Sequence, residues 1–190
     1  MAIKLVTPPT ADQEPVSLAE AKAHLREEGS ESDLQIGVLI AAARSHIEEV
    51  TGVYFAEQTL ELIFDAFPYS ELQLRGPVIS VESVKYDDVD GYEQTVDPAN
   101  YWLDATNSPG WIVPVADAWP ATITAVNSVR VRIVVGYDDP THIPASIKAA
   151  ILLLVGHWYA NREAVVIGKS TADLPMGVAA LIAPFRRWFV

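Results

Sequence analysis

The feature that most restricts this chain is a change of hydrophobic period in its middle. From about residue 57 to 137 the apolar residues fall in short, β-branched or aromatic, partly alternating runs: "TLELIF", "ELQLR", "VISVESVKY", "NYWL", "WIVP" and "VRVRIVVGY". Turn-forming stretches separate them: "FPYS", "RGP", "DDVDG", "NSPG" and "DAWPAT". "VRVRIVV" places Arg130 and Arg132 opposite Val129, Val131 and Ile133, the pattern of a half-buried strand. On both sides of this block the period is helical. Upstream, Ser17 and Glu20 have capping-box spacing, and Leu18, Ala21 and Leu25 share one face. Ser32 or Asp33 then caps a second helix, with Ile36, Leu39, Ile40, Ala43, Ile47 and Val50 as its buried stripe and Gly52 as its stop. Downstream, Pro144 suits a first helical position, and Ile147, Ile151, Leu154, Val155 and Trp158 keep helical spacing to about Glu163. A loop, "AVVIGKSTADLP", a short helix from about Met176 to Ala183 and the tail "PFRRWFV" complete the pattern.

The expected fold is therefore α+β and mainly α. A helical bundle of about four helices carries an inserted small antiparallel β subdomain. Residues 1–56 supply the N-terminal helices, 57–137 the β-rich subdomain, and 138–190 the long C-terminal helix, loop, short helix and tail of the same bundle. Half of the 190 residues are apolar and 20% are charged, enough for a packed core.

Charge and composition exclude several function classes. Thirteen Lys and Arg face 25 Asp and Glu, a net charge of -12, which disfavours gripping nucleic acid by its phosphates. The absence of cysteine removes disulfide frameworks, thiolate zinc sites and cysteine nucleophiles. "MAIKLVTPPTADQEP" has no apolar stretch of signal-peptide length, and the apolar run from Ala149 to Gly156 is too short for a bilayer. The expectation is a soluble chain without membrane association, not exported by the ordinary secretory route.

The motifs that suggest chemistry fail in their context. Gly168, Lys169 and Ser170 match the end of a phosphate-binding loop, but Glu163 stands where that loop needs its first glycine, and the segment leaves a helix instead of opening one. Asp87, Asp88 and Asp90 in "YDDVDGY" have the wrong order for a calcium loop, whereas Asp-Gly between strands is a hairpin signal. His24, His46, His142 and His157 are scattered; His46 and Glu49 share a helical face, but a carboxylate-bridged metal bundle needs several such pairs. No Gly-x-Ser-x-Gly elbow is present, and a Ser–His–Asp set assembled from distant residues is left open. The reading is that the chain has no catalytic residues, no metal site and no cofactor.

Two stretches suggest a protein partner instead. In "HWYANRE", Trp158, Tyr159 and Arg162 are residue types favoured at interface centres; the alternative is that Trp158 is core and that Arg162 and Glu163 pair or bind the helix end. The apolar Val165, Val166 and Ile167 follow directly, and the set is read as a subunit interface. The tail places Phe185, Arg186, Arg187, Trp188 and Phe189 in an otherwise acidic chain; it docks on its own core or on a partner's groove.

Five blocks, taken in order, resemble the head–tail connector (adaptor) proteins of long-tailed bacteriophages and the related adaptors of phage-derived gene transfer agents. They are "LVTPPTADQEPVSLAEAKAHLR", "LIAAARSHIEEVTGVYF", "LQLRGPVISVESVKYDDVDG", "IPASIKAAILLLVGHWYANRE" and "LPMGVAALIAPFR". The stretch "DATNSPGWIVPVADAWPATITA" departs from the family pattern. The resemblance implies a non-enzymatic virion protein, made in the bacterial cytoplasm and placed at the particle neck. Such proteins form a ring, typically of twelve copies, under the portal protein. They join it to the stopper or tail-completion protein and line a channel through which DNA passes without specific binding. The resemblance implies that the tail, Phe185 to Phe189, reaches the portal. A free monomer is compatible with it. The alternatives are another neck role, as stopper or tail-completion protein, and an unrecognised enzyme.

Overall fold

The computed structural model describes residues 1–106, 109–116, 118–161 and 176–187. The chain forms two compact units, one from Met1–Pro9 and Glu57–Asp138, the other from Thr10–Ala56 and Asp139–Val190.

The first unit contains β1 (Ala2–Thr7), β2 (Gln58–Phe64), β3 (Leu72–Leu74), β4 (Val78–Asp87), β5 (Glu93–Thr95), β6 (Tyr101–Asp104), β7 (Gly110–Pro114) and β8 (Val129–Val135). They form two antiparallel sheets, ordered β1-β2-β8-β4-β5 and β3-β7-β6. β8 is central because it alternates strictly: Val129, Val131, Ile133 and Val135 are buried, while Arg130 and Arg132 point away. It pairs with β2 on one side and β4 on the other, so Val131 lies beside Leu62 and Val84. All three are fully buried, each contributing about 1.5–3 kcal/mol relative to exposure. β7 begins where the two sheets come together. A Cβ on Gly110 would lie 2.9 Å from Val78 Cγ2, so a larger residue would force that contact apart.

The second unit contains α1 (Leu18–Leu25), α2 (Asp33–Thr51), α3 (Ala145–Ala160) and α4 (Met176–Ile182). The capping box of α1 is formed in full: Ser17 Oγ accepts the Glu20 N–H and Glu20 Oε2 accepts the Ser17 N–H at 2.8 Å. These bonds hold the Glu20 carboxyl below its ordinary range. α2 buries Ile36, Ile40, Ala43 and Ile47, and stops at Gly52 in the left-handed conformation, φ 71°. Leu39 and Val50 are only partly buried. α3 buries Ile147, Ala150, Ile151, Leu154 and Val155, and ends at Asn161, short of the expected Glu163. Ser32 occupies the α2 N-cap without bonding to the helix; its backbone is already helical, and its hydroxyl lies 3.0 Å from that of Tyr159.

The expectation of a mainly α bundle with a small β insertion is corrected. The fold is 35% helix and 28% strand, with two antiparallel sheets beside four α-helices among the described residues. Two of the strands were not expected. β1 lies in the 1–56 segment assigned to the bundle, ahead of the expected helices: its pattern, "AIKLVT", becomes a strand through pairing with β2. β5, "EQT", is fully exposed and has no apolar signature. Two of the helices are also short, with eight residues in α1 and seven in α4.

Candidate assembly surface

Among the described residues no group of three or more His, Asp or Glu is placed to hold a metal ion, and no helix is long and apolar enough to cross a membrane. The acidic turn is a hairpin. Asp88 Oδ1 accepts the N–H groups of Asp90 and Tyr92 at 3.1 and 2.9 Å, and Gln94 Nε2 donates to Asp88 Oδ2 at 2.8 Å. Gly91 supplies φ 85°. Arg130 Nη2 bonds Asp87 Oδ1 at 2.6 Å and Glu93 Oε2 at 3.1 Å, tying the hairpin to β8. Each carboxylate is thereby occupied, and all three lie below their ordinary range: Asp87 through Arg130, Asp88 through the Tyr92 N–H, Glu93 through Lys85.

A cavity of about 440 Å³ in the strand unit is lined by Tyr86, Asp97, Asn100 and Trp119, among others. Asp97, the one carboxylate of its lining among the described residues, caps the following turn by accepting the Ala99 N–H at 2.9 Å. Trp119 stacks on Phe67, with ring centroids 4.7 Å apart and planes 6° apart, and its Nε1 donates to the Ser70 carbonyl at 2.8 Å. These contacts anchor the part of the chain that departs from the adaptor pattern.

The helical unit holds the residues singled out for assembly. Arg44 is buried in α2. Its Nη1 donates to Glu48 Oε2 at 2.6 Å and its Nε donates to Glu14 Oε2 at 2.9 Å. Burial pushes the Glu14 carboxyl above its ordinary value, against the lowering pull of Arg44. The other Glu48 oxygen accepts the N–H groups of Phe55 and Ala56 at 2.7 and 3.2 Å. This network sets the path of the chain leaving α2. The sequence reading missed it, although an Arg–Glu pair four residues apart in an apolar helix is a visible signal.

The tail meets the same exit. Phe185 packs edge-on against fully buried Phe55, centroids 6.2 Å apart at 79°. The Arg187 N–H donates to the Thr51 carbonyl at 2.7 Å. The side chains of Arg186 and Arg187 are exposed. Trp188 and Phe189 lie outside the described residues.

The end of α3 is tied down within the same unit. Trp158 lies edge-on to His46, centroids 6.1 Å apart, giving His46 an aromatic partner. Tyr159 donates its hydroxyl proton to Glu27 Oε1 at 2.6 Å. Asn161 Nδ2 donates to the His157 carbonyl at 2.8 Å, closing the helix. Arg162, Val165, Val166 and Ile167 lie outside the described residues, as do Gly168, Lys169 and Ser170.

The profile of one family, described as "Head completion protein", matches residues 15–188. Three solved structures share the fold over the whole chain. One is in the "Virion of native gene transfer agent (GTA) particle", with a TM-score of 0.82 and 24% identity, covering 100% of this chain and 97% of that one. The second is in the "Neck of empty GTA particle computed with C6 symmetry", at 0.80 and 24% with the same coverage. The third is in the "Neck of native GTA particle computed with C12 symmetry", at 0.75 and 23%, again with the same coverage. No curated protein matches significantly. With nearly all of its length inside one family profile, the chain belongs to the head completion protein family.

Proposed function

We propose that this chain is a structural, non-catalytic head–tail adaptor in the neck of a tailed phage or gene transfer agent particle. It forms a ring under the portal, connects the capsid to the stopper or tail-completion protein, and lines the channel through which DNA passes. The observation that carries this reading is membership of the head completion family over residues 15–188, joined to a fold shared along the entire chain with proteins of particle necks.

The local chemistry supports it. Asp87, Asp88 and Arg130 at the acidic hairpin and Arg44 and Glu48 in α2 bond one another or the backbone, which suits a scaffold. A chain of net charge -12 repels DNA phosphates, so a wall made from it lets DNA slide. In this reading Phe185 seats the tail on its own unit, and Arg186, Arg187, Trp188 and Phe189 engage the portal. Trp158 and Tyr159 brace the end of α3, and Arg162, Val165, Val166 and Ile167 are assigned to the contact with the neighbouring subunit.

The test is to image particles carrying the double variant Arg186→Glu, Arg187→Glu. The expected result is a folded protein that no longer attaches to the portal. Normal attachment would sink the docking assignment, and finding the unaltered chain anywhere but the neck would sink the adaptor reading.

A further inference from the structure

The larger sheet ends in two free edges. In the order β1-β2-β8-β4-β5 every neighbouring pair is antiparallel, and among the described residues no strand pairs with the outer side of β1 or of β5. Ile3 and Leu5 on β1 are 39% and 50% exposed, although the residues they pair with on β2, Leu62 and Leu60, are buried. All three residues of β5 are exposed, and Tyr92, which leads into it, is 70% exposed.

An open row of N–H and C=O groups is a template for another strand. Charge says which strand. Residues 1–11 contain Lys4 and no acidic residue. Lys4 has no ion pair among the described residues, and Glu61, opposite it on β2, is bonded to Arg132 instead. At the other edge, residues 87–97 contain five acidic residues and no Lys, Arg or His. Lys85 and Arg130 engage Asp87 and Glu93, while Asp90 and Asp97 have no ion pair among the described residues. One edge thus carries a free positive charge and the other an excess of negative charge. A lysine on an edge bars a like-charged strand and admits an acidic one. Two β1 edges set together oppose like charges, as do two β5 edges, whereas β1 against β5 pairs opposite ones.

The strand directions agree. With five strands, each antiparallel to the next, β1 and β5 point the same way. Continuing the sheet from one copy into the next therefore sets β5 parallel to β1. Such a contact joins two different surfaces, and repeating it closes a ring when the rotation allows.

We infer that the free edge of β1 takes the β5 edge of a neighbouring copy, with Lys4 facing the acidic β4–β5 hairpin. This rests on the ring-forming reading above and adds to it a contact through the strand unit.

The chain has no cysteine, so introduced thiols can be read without background. Thr7→Cys, Thr95→Cys and the double variant are incorporated into particles and treated with a short bis-maleimide linker. Both positions are exposed, so the substitutions leave the fold intact. The double variant is expected to give a ladder of linked copies, and each single variant only monomers. Lys4→Glu added to the double variant is expected to suppress the ladder with the melting temperature of the free protein unchanged, and Lys4→Arg to keep it. A ladder undiminished by Lys4→Glu would overturn the inference, and so would dimers from Thr7→Cys alone, which mark a two-fold β1 contact. Absence of a ladder from the double variant while imaging still finds the chain in a neck ring would overturn the inference and leave the adaptor reading standing. Absence of the chain from any ring would overturn both.

Discussion

Arg44 donates to Glu48 at 2.6 Å inside α2, and both side chains are almost fully buried. Glu48 uses its second oxygen to hold the N–H groups of Phe55 and Ala56, so one carboxylate joins the middle of the helix to the chain that leaves it. Replacing Glu48 with Ala leaves the buried Arg44 with Glu14 as its remaining carboxylate and removes the Glu48 acceptor from two buried N–H groups. The expected loss is about 3 kcal/mol in urea unfolding, with a smaller loss for Glu48→Gln, which keeps an acceptor for the backbone. Equal losses for the two variants would show that the backbone bonds contribute nothing.

Glu14 makes a prediction with an unusual sign. Burial raises its folded pKa, so its contribution to stability is fully present below the unfolded value and is lost as pH rises through the folded one. The penalty of Glu14→Gln should therefore be larger at pH 5 than at pH 7, measured as the difference in unfolding free energy from the unaltered chain. A penalty that grows with pH would mean that Arg44 outweighs burial at this site.

The hairpin carboxylates behave in the opposite way. Asp87, Asp88 and Glu93 are held low, so their contribution is present above the unfolded values and fades as pH falls. Acid should weaken the strand unit through them, and Asp88→Ala should flatten that acid limb in a thermal melt. Gly91→Ala should cost about 1 kcal/mol because φ 85° strains any side chain. Calcium should leave the melting temperature unchanged; a clear rise would reopen the turn as a metal site.

Phe185 separates folding from docking. Its half-buried ring rests on Phe55, so Phe185→Ala should lose at least the contribution of the ring pair, about 0.5–1.5 kcal/mol. Arg186→Ala, at an exposed position, should change stability by less than about 0.5 kcal/mol and act only on particle assembly. Chemical unfolding of the two variants, set beside particle yield, checks the distinction.

Val166→Asp, in the segment assigned to the subunit contact, should lower particle yield while the melting temperature of the free protein stays unchanged. A normal yield of tailed particles would remove that segment from the interface.

What was legible in the sequence followed local pattern. The six runs from "TLELIF" to "VRVRIVVGY" became strands because each carries its own apolar face, and the Ser17–Glu20 box formed because its partners are three residues apart. β1 and β5 were not legible, since each is made a strand by a neighbour far along the chain or across a turn. The same limit hid Glu14–Arg44 and Glu27–Tyr159, whose partners are distant in sequence. Residue chemistry around Trp158 and Phe185 was readable as unusual, but their partners, His46 and Phe55, were not.

β8 joins β2 to β4 at the centre of the larger sheet, yet it is the last strand of that sheet to be synthesised. A nascent chain that has reached β5 holds only two-stranded pairs, which are marginal in water. The sheet can close only after Val135 has left the ribosome. Products truncated before β8 therefore present an unfinished sheet with the edges of β2 and β4 unpaired.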